Sequence, residues 1–162
     1  EYQPNKKAID RLYYDIMPKL KKKIPNMMLV LTGSKKIPFK ANWLKNLGLV
    51  SKDRYTNVLR NSLCLIVPTR EGYGTRVKII EALCYGTVVV SSKIGIEGIR
   101  YNKKNPPPFE CYDDHSFIKV ICKLNKSKIF KKKASENNFF YIKDYSARLK
   151  TRSFIKEIYN DI

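Results

Sequence analysis

Leu63-Cys64-Leu65-Ile66-Val67-Pro68-Thr69-Arg70-Glu71-Gly72-Tyr73-Gly74-Thr75-Arg76-Val77-Lys78-Ile79-Ile80-Glu81-Ala82 is the stretch that decides the fold. Its first five residues are apolar without alternation, the pattern of a parallel strand covered on both faces. Pro68 ends that strand, and Thr69 to Gly74 forms a turn. A helix is predicted from about Thr75 to Tyr85, with Val77, Ile80, Leu83 and Cys84 as its apolar positions and Gly86 closing it. Thr87 to Ser91 then reads as the next strand. A strand, a short turn, a helix and another strand make the repeating unit of a parallel α/β sheet.

The flanking sequence extends the same alternation. Upstream, Ala8, Ile9, Leu12, Tyr13, Ile16, Met17 and Leu20 form a helical stripe from Asn5, its expected N-cap, to about Lys23. Pro18 is expected to kink this helix. Met28 to Thr32 reads as a buried strand closed by Gly33 and Ser34. A short helix carrying Trp43 is expected between Pro38 and Asn46, and a short strand from Leu47 to Val50. Asp53 to Arg60 reads as a helix capped by Ser51 or Asp53.

Downstream come a loop punctuated by Gly95 and Gly98, the prolines 106 to 108, and a strand from Phe109 to Tyr112. Asp113 and Asp114 cap a helix through Leu124, and the tail 126–162 is helical and basic, with a break at Tyr145-Ser146. The expected fold class is α/β: one Rossmann-like, doubly wound parallel sheet in a single domain, 1–162. Ligands of such sheets bind beyond the carboxyl ends of the strands, which here means the loops after Thr32, Val67 and Val90.

Composition narrows the function classes. The chain has 162 residues, and 33 Lys and Arg against 14 Asp and Glu leave a net charge of +19. At 43% hydrophobic and 12% aromatic residues it can build a core without staples, which separates it from charged, disordered chains. The longest apolar runs are of strand length, far short of the roughly 20 residues of a membrane span, and no signal peptide is visible. A chain that opens on Glu1 reads as a fragment, a processed chain or one domain of a longer protein. Cys64, Cys84, Cys111 and Cys122 show no metal-binding spacing, and His115 is the single histidine, so no metal site is expected. Cysteines inside apolar stretches fit a reducing, cytoplasmic compartment.

The charge itself has several readings: nucleic acid, an anionic membrane surface, a phosphorylated small ligand, or the lysine bias of an A/T-rich genome. The lysines from Lys126 to Lys133 read as a solvated face or a contact with anionic lipid. Phe139 to Tyr141 among lysines reads as helix core before it reads as a stacking platform. His115 beside Asp113 and Asp114 reads as part of a helix cap.

The turn 69–78 carries the densest chemistry. Gly72 and Gly74 let the backbone approach a ligand closely, and the free amides at the helix start favour an anion. Thr75 adds a hydroxyl donor, Arg76 and Lys78 add positive charge, and Glu81 can accept hydrogen bonds from the vicinal hydroxyls of a ribose. Phosphate donors beside a hydroxyl acceptor point to a nucleotide or nucleotide sugar. Taken alone, the same residues also describe a helix start with solvated charges.

Over almost its whole length the chain resembles the C-terminal, nucleotide-sugar-binding domain of GT-B glycosyltransferases of the retaining family four, also called group 1. The resemblance rests on Tyr2-Gln3-Pro4-Asn5 with Ile16-Met17-Pro18-Lys19-Leu20, on Leu29-Val30-Leu31-Thr32-Gly33, on Leu47-Gly48-Leu49-Val50 and on Leu65-Ile66-Val67-Pro68. Its most specific part is Gly72-Tyr73-Gly74-Thr75-Arg76-Val77-Lys78-Ile79-Ile80-Glu81-Ala82-Leu83 with Gly86-Thr87-Val88-Val89-Val90-Ser91, continued by Gly95-Ile96-Glu97-Gly98-Ile99.

That resemblance implies transfer of a sugar, of hexosyltransferase type and in polysaccharide biosynthesis, from a nucleoside diphosphate donor to a glycan or lipid-linked acceptor. It implies retention at the anomeric carbon, no cofactor and no metal. Gly33, Gly48, Val50, Gly72, Tyr73, Gly74, Thr75, Arg76, Lys78 and Glu81 would bind the donor. Among them Arg76 and Lys78 would stabilise the leaving diphosphate and Glu81 would hold the ribose, so these three are the catalytic candidates. The acceptor would belong to an N-terminal domain outside this sequence, leaving this chain inactive alone, at the cytoplasmic face of a membrane.

Two departures stand out. Many members carry two glutamates with seven residues between them, whereas Glu71 and Glu81 have nine between them, and the family spacing falls on Tyr73. The usual diphosphate-binding Arg and Lys after the first strand also lack a clear equivalent, for which Arg70, Arg76 or Lys78 could substitute. A basic nucleic-acid-binding module, ranked below the nucleotide-sugar reading, and a non-catalytic Rossmann-like interaction domain remain the alternatives.

Overall fold

The structure is a computed structural model that describes residues 3–33, 37–72, 77–99, 106 and 108–149, without the side chains of 139–149. Among the described residues five strands, all parallel, form two sheets. β1 (Leu29–Leu31) pairs with β2 (Leu44–Asn46), and β3 (Leu65–Val67), β4 (Val89–Ser92) and β5 (Phe109–Cys111) follow one another in the second sheet. The α/β class and parallel pairing match the expectation. The Rossmann-like fold matches it as well, with the strands in two sheets where one was expected: β1 and β3 flank a cleft of about 1140 Å³ instead of pairing.

The helices cover these sheets. α1 (Gln3–Arg11) runs through a π turn (Leu12–Ile16) into α2 (Met17–Lys23). Asn5 is therefore inside the helix, and its N-cap assignment is corrected to a start at Gln3. The π turn explains how Pro18 is tolerated. Proline offers no amide and crowds the carbonyl four residues back, and the wider turn just before it absorbs that defect, with Met17 N–H donating to Leu12 O. α3 (Lys52–Asn61) starts at the Ser51 cap, whose hydroxyl accepts from Arg54 N–H. α4 (Val77–Cys84) ends at Gly86, in the left-handed region at φ +74°.

α5 (Asp114–Lys126) carries a capping box between Asp113 and Ser116. α6 (Lys128–Leu149) runs straight through Tyr145-Ser146, where a break was expected. Neither residue costs a helix more than a few tenths of a kcal/mol, so nothing local stops it. Two apolar clusters lie between these layers. Ile16, Met17, Leu20, Val88, Val90, Phe117 and Ile121 anchor one, and Val67, Ile79, Ala82, Leu83 and Val89 the other.

Three local expectations are corrected. Pro38 to Asn46 contains no helix: Phe39 stacks on Tyr13 at 4.4 Å, Trp43 leans on the same ring at 5.2 Å, and Leu44–Asn46 is strand. The strand predicted at Leu47 to Val50 is thus displaced to Leu44–Asn46, because Gly48 turns the chain at φ +64° and leaves Leu49 exposed. In α4 the buried face is Ile79, Ile80, Ala82 and Leu83, while Val77 is 54% exposed, because it lies on the outer side of the first turn.

Candidate functional site

The cleft runs along β1 and β3, from Asn26 and Asn61 near their amino ends to Gly33 and Thr69 at their carboxyl ends. Gly33 and Thr69 line it from the two strand ends, Tyr55 from α3, Asn5 from α1 and Lys78 from α4. Its deeper walls are apolar, formed by Leu29, Leu31, Leu65, Ile66 and Met17. Its rim at the carboxyl ends, with Gly33 and Thr69, is the position at which parallel α/β sheets take ligands.

The structure brings only some of the candidate residues to the cleft. Gly33 and Lys78 share the cleft, with Lys78 Nζ 3.3 Å from Asn5 Oδ1. Gly33, at φ +88°, lies in the left-handed region and donates its N–H to Gly48 O at 2.7 Å. An added Cβ would meet nothing within 4 Å, so the backbone and not the space calls for glycine here. Gly48 in turn donates to Asn46 Oδ1. Gly48 and Val50 stand behind Gly33 rather than on the cleft wall, as the displaced strand dictates. Tyr73, Gly74, Thr75 and Arg76 lie outside the described residues.

Glu81 lies one turn into α4 beyond Lys78, half-buried, and its Oε2 accepts from the Tyr55 hydroxyl at 3.4 Å. Burial first, and then the facing Glu81 carboxylate, push the Tyr55 phenol above its ordinary value of 10.0. Tyr55 therefore stays a hydrogen-bond donor. Glu71 and Gly72 sit at the near end of the turn. Glu71 Oε2 pairs with Lys7 Nζ at 2.9 Å on the surface, and Gly72 has φ +104°.

Sequence reasoning missed Tyr55 and Arg11. Tyr55 gave no signal, since it is one tyrosine on an ordinary helix. Arg11 did: it sits three residues after Ala8 and beside Leu12, on the apolar stripe, where a charge needs a buried partner. Its side chain is 7% exposed, with Nε 2.7 Å from Asp114 Oδ1 and Nη1 2.7 Å from Pro68 O.

Some groups carry no site. Cys64 and Cys111 are thiols pushed up by burial, to about 12 and about 11, and so are poor nucleophiles. His115 is exposed next to the Asp113 cap. Phe139 to Tyr141 fall where side chains are not described. Among the described residues no cluster of His, Cys, Asp or Glu is placed to hold a metal ion, and no helix is long and apolar enough to cross a membrane.

A search of curated proteins finds no match. A family profile described as Glycosyl transferases group 1 matches residues 1–127, from α1 through the end of α5. That span holds every strand and every candidate residue, and the chain belongs to the glycosyl transferases group 1 family.

Proposed function

We propose that this chain is the donor-binding domain, C-terminal in a GT-B enzyme, of a retaining glycosyltransferase that uses a nucleoside diphosphate sugar. The observation that carries this reading is the cleft between β1 and β3, with its rim at their carboxyl ends. Gly33 and Lys78 line it, and Glu81 lies one hydrogen bond away through Tyr55. Family membership supplies the reaction class, glycosyl transfer; the donor, the stereochemistry and the acceptor are our inference.

In this reading Glu81 accepts hydrogen bonds from the ribose hydroxyls, oriented by Tyr55. Lys78 faces the diphosphate at the first turn of α4, where the helix dipole also favours negative charge. As the bond from the anomeric carbon to the diphosphate breaks, negative charge grows on the leaving oxygens. Fixed donors already in place stabilise it without reorganisation. Tyr73, Gly74, Thr75 and Arg76 complete the turn by sequence. Neither a metal nor a cofactor is assigned. The acceptor, a glycan or lipid-linked sugar, is assigned to a separate N-terminal domain, and the lysine-rich surface to an anionic membrane face on the cytoplasmic side.

Ligand-observed NMR with UDP-, GDP- and ADP-sugars tests the reading. Saturable binding of one donor that is lost in Glu81→Ala is expected. No binding at millimolar donor, with salt-sensitive binding of a short oligonucleotide instead, would refute it in favour of a nucleic-acid module.

A further inference from the structure

β3 stops pairing with β4 at Val67, and the backbone beyond it has to find other partners. It finds them on side chains. Val67 O accepts from Ser91 Oγ at 3.2 Å, Pro68 O from Arg11 Nη1 at 2.7 Å, Thr69 O from Ser92 Oγ, and Glu71 O from Thr69 Oγ1 at 2.7 Å. Ser92 Oγ is itself held by Gly95 N–H at 3.1 Å. Four carbonyls in the five residues 67–71 are thus fixed individually.

A trans peptide is planar, with its C=O and the following N–H pointing in opposite directions. Fixing the carbonyls of Pro68, Thr69 and Glu71 therefore aims the amides of Thr69, Arg70 and Gly72. These are the amides at the near side of the glycine turn. Of the side chains that fix them, Arg11 comes from farthest away in sequence, on α1, and is locked by Asp114 at the start of α5 and laid over the Phe117 ring at 5.2 Å.

A buried ion pair is a weak stability device, since desolvation offsets most of the attraction and apolar replacements are often as stable. Arg11 is also a poor electrostatic partner for a ligand, because Asp114 neutralises it at 2.7 Å. What remains is geometry: a rigid planar fork that bonds a carboxylate with one arm and a backbone carbonyl with the other. The same helix touches the turn region twice more, through Lys7 to Glu71 and Asn5 to Lys78.

We propose that Arg11 is a positioning residue for the donor turn: held by Asp114, it sets the Pro68 carbonyl and, with Ser92 and Thr69, gives the 69–72 amides one orientation before the diphosphate arrives. The assignment of a diphosphate to this turn rests on the function proposed above; the clamp itself does not.

Two measurements on the whole chain separate the two ideas: amide hydrogen exchange in the absence of ligand, and titration with the UDP-, GDP- and ADP-sugar panel. Arg11→Met keeps the apolar stem, Arg11→Lys keeps the charge without the fork, and Asp114→Asn unlocks the guanidinium. Each is expected to raise exchange at Thr69, whose N–H shares a peptide plane with the Pro68 carbonyl, by about tenfold or more, the loss of one charge-assisted hydrogen bond, with exchange at Val89 to Ser91 unchanged. Donor affinity is expected to fall about tenfold in parallel.

Unchanged exchange at the turn in Arg11→Lys and Asp114→Asn overturns the clamp whether or not a donor binds. Altered exchange with unchanged donor affinity overturns its role in binding. If the unsubstituted chain binds no donor, the functional reading fails and positioning for a donor fails with it, while the exchange data still decide whether the clamp exists. Should Arg11→Met fail to fold, the two milder variants carry the decision.

Discussion

Gly95→Ala is the substitution whose cost the structure sets most sharply. Gly95 is buried in the short 3-10 turn after β4, and its φ is one that alanine adopts freely, so the backbone raises no objection. The added methyl does. It would overlap the Ser91 hydroxyl outright and sit 3.0 Å from Val67 O and 3.1 Å from Val67 Cγ1. Ser91 is fully buried and its hydroxyl donates to Val67 O. Making room thus strains a close-packed site and breaks that bond. Overpacking costs about 1–3 kcal/mol and a buried hydrogen bond about 1 kcal/mol, giving about 2–4 kcal/mol. For a chain of this length that lowers the thermal midpoint by roughly 6–12 °C. Urea unfolding followed by circular dichroism measures it. Ser91→Ala should lose about 1 kcal/mol alone, but combined with Gly95→Ala it should cost less than the two separately, because the overlapping hydroxyl is gone. A Gly95→Ala variant within about 0.5 kcal/mol of the parent, or strictly additive costs, would refute the packing described around β3 and β4.

Two further outcomes depend on titration. The Tyr55 phenol is held above its ordinary 10.0 by burial and by Glu81, so the folded state keeps that proton where the unfolded chain has lost it. Its stabilising contribution is complete below pH 10 and is lost as pH rises beyond that value. Ultraviolet titration should show one late-ionising tyrosine that disappears in Tyr55→Phe. The Asp113 carboxyl is held below its ordinary 3.8, first by the Ser116 backbone amide and then by the Ser116 hydroxyl. That stabilisation is present above pH 3.8 and is lost as pH falls through the lowered value. Asp113→Asn should therefore be less stable than the parent at neutral pH by thermal denaturation, with the difference shrinking in acid; a pH-independent difference would dismiss the charged cap.

The α/β alternation was legible because each element announces itself locally. Leu65–Val67 is apolar on both faces, Ser51 and Asp113 cap their helices, and Gly86 stops α4. Where sequence reading missed, tertiary contact outvoted local pattern. Leu47-Gly48-Leu49-Val50 looks like a strand only until Gly48 takes a positive φ and Leu49 faces solvent. Trp43 looks helical until Tyr13 and Phe39 stack beside it across the π turn that Pro18 imposes. No pattern in either segment records a ring that sits thirty residues away.

The candidate site divides in the same way. Gly72, Gly74, Lys78 and Glu81 were candidates that the sequence could offer, because what they would do depends on their own backbone or side chain and on one turn of helix. The parts that aim them were not. Tyr55 reaches Glu81 from another helix, and Arg11 reaches Pro68 across 57 positions. Tyr55 serves a carboxylate, while Arg11 serves a backbone group whose need arises only once β3 has ended and left the sheet. The one trace they leave in sequence is a misplaced charge: an arginine on the face of α1 that Ala8 and Leu12 assign to the core. A buried charge costs several kcal/mol unless it is paired, so its presence on an apolar stripe argues for a distant partner before any coordinates exist. In this chain that partner is Asp114, and the group the pair holds is the first carbonyl of the turn.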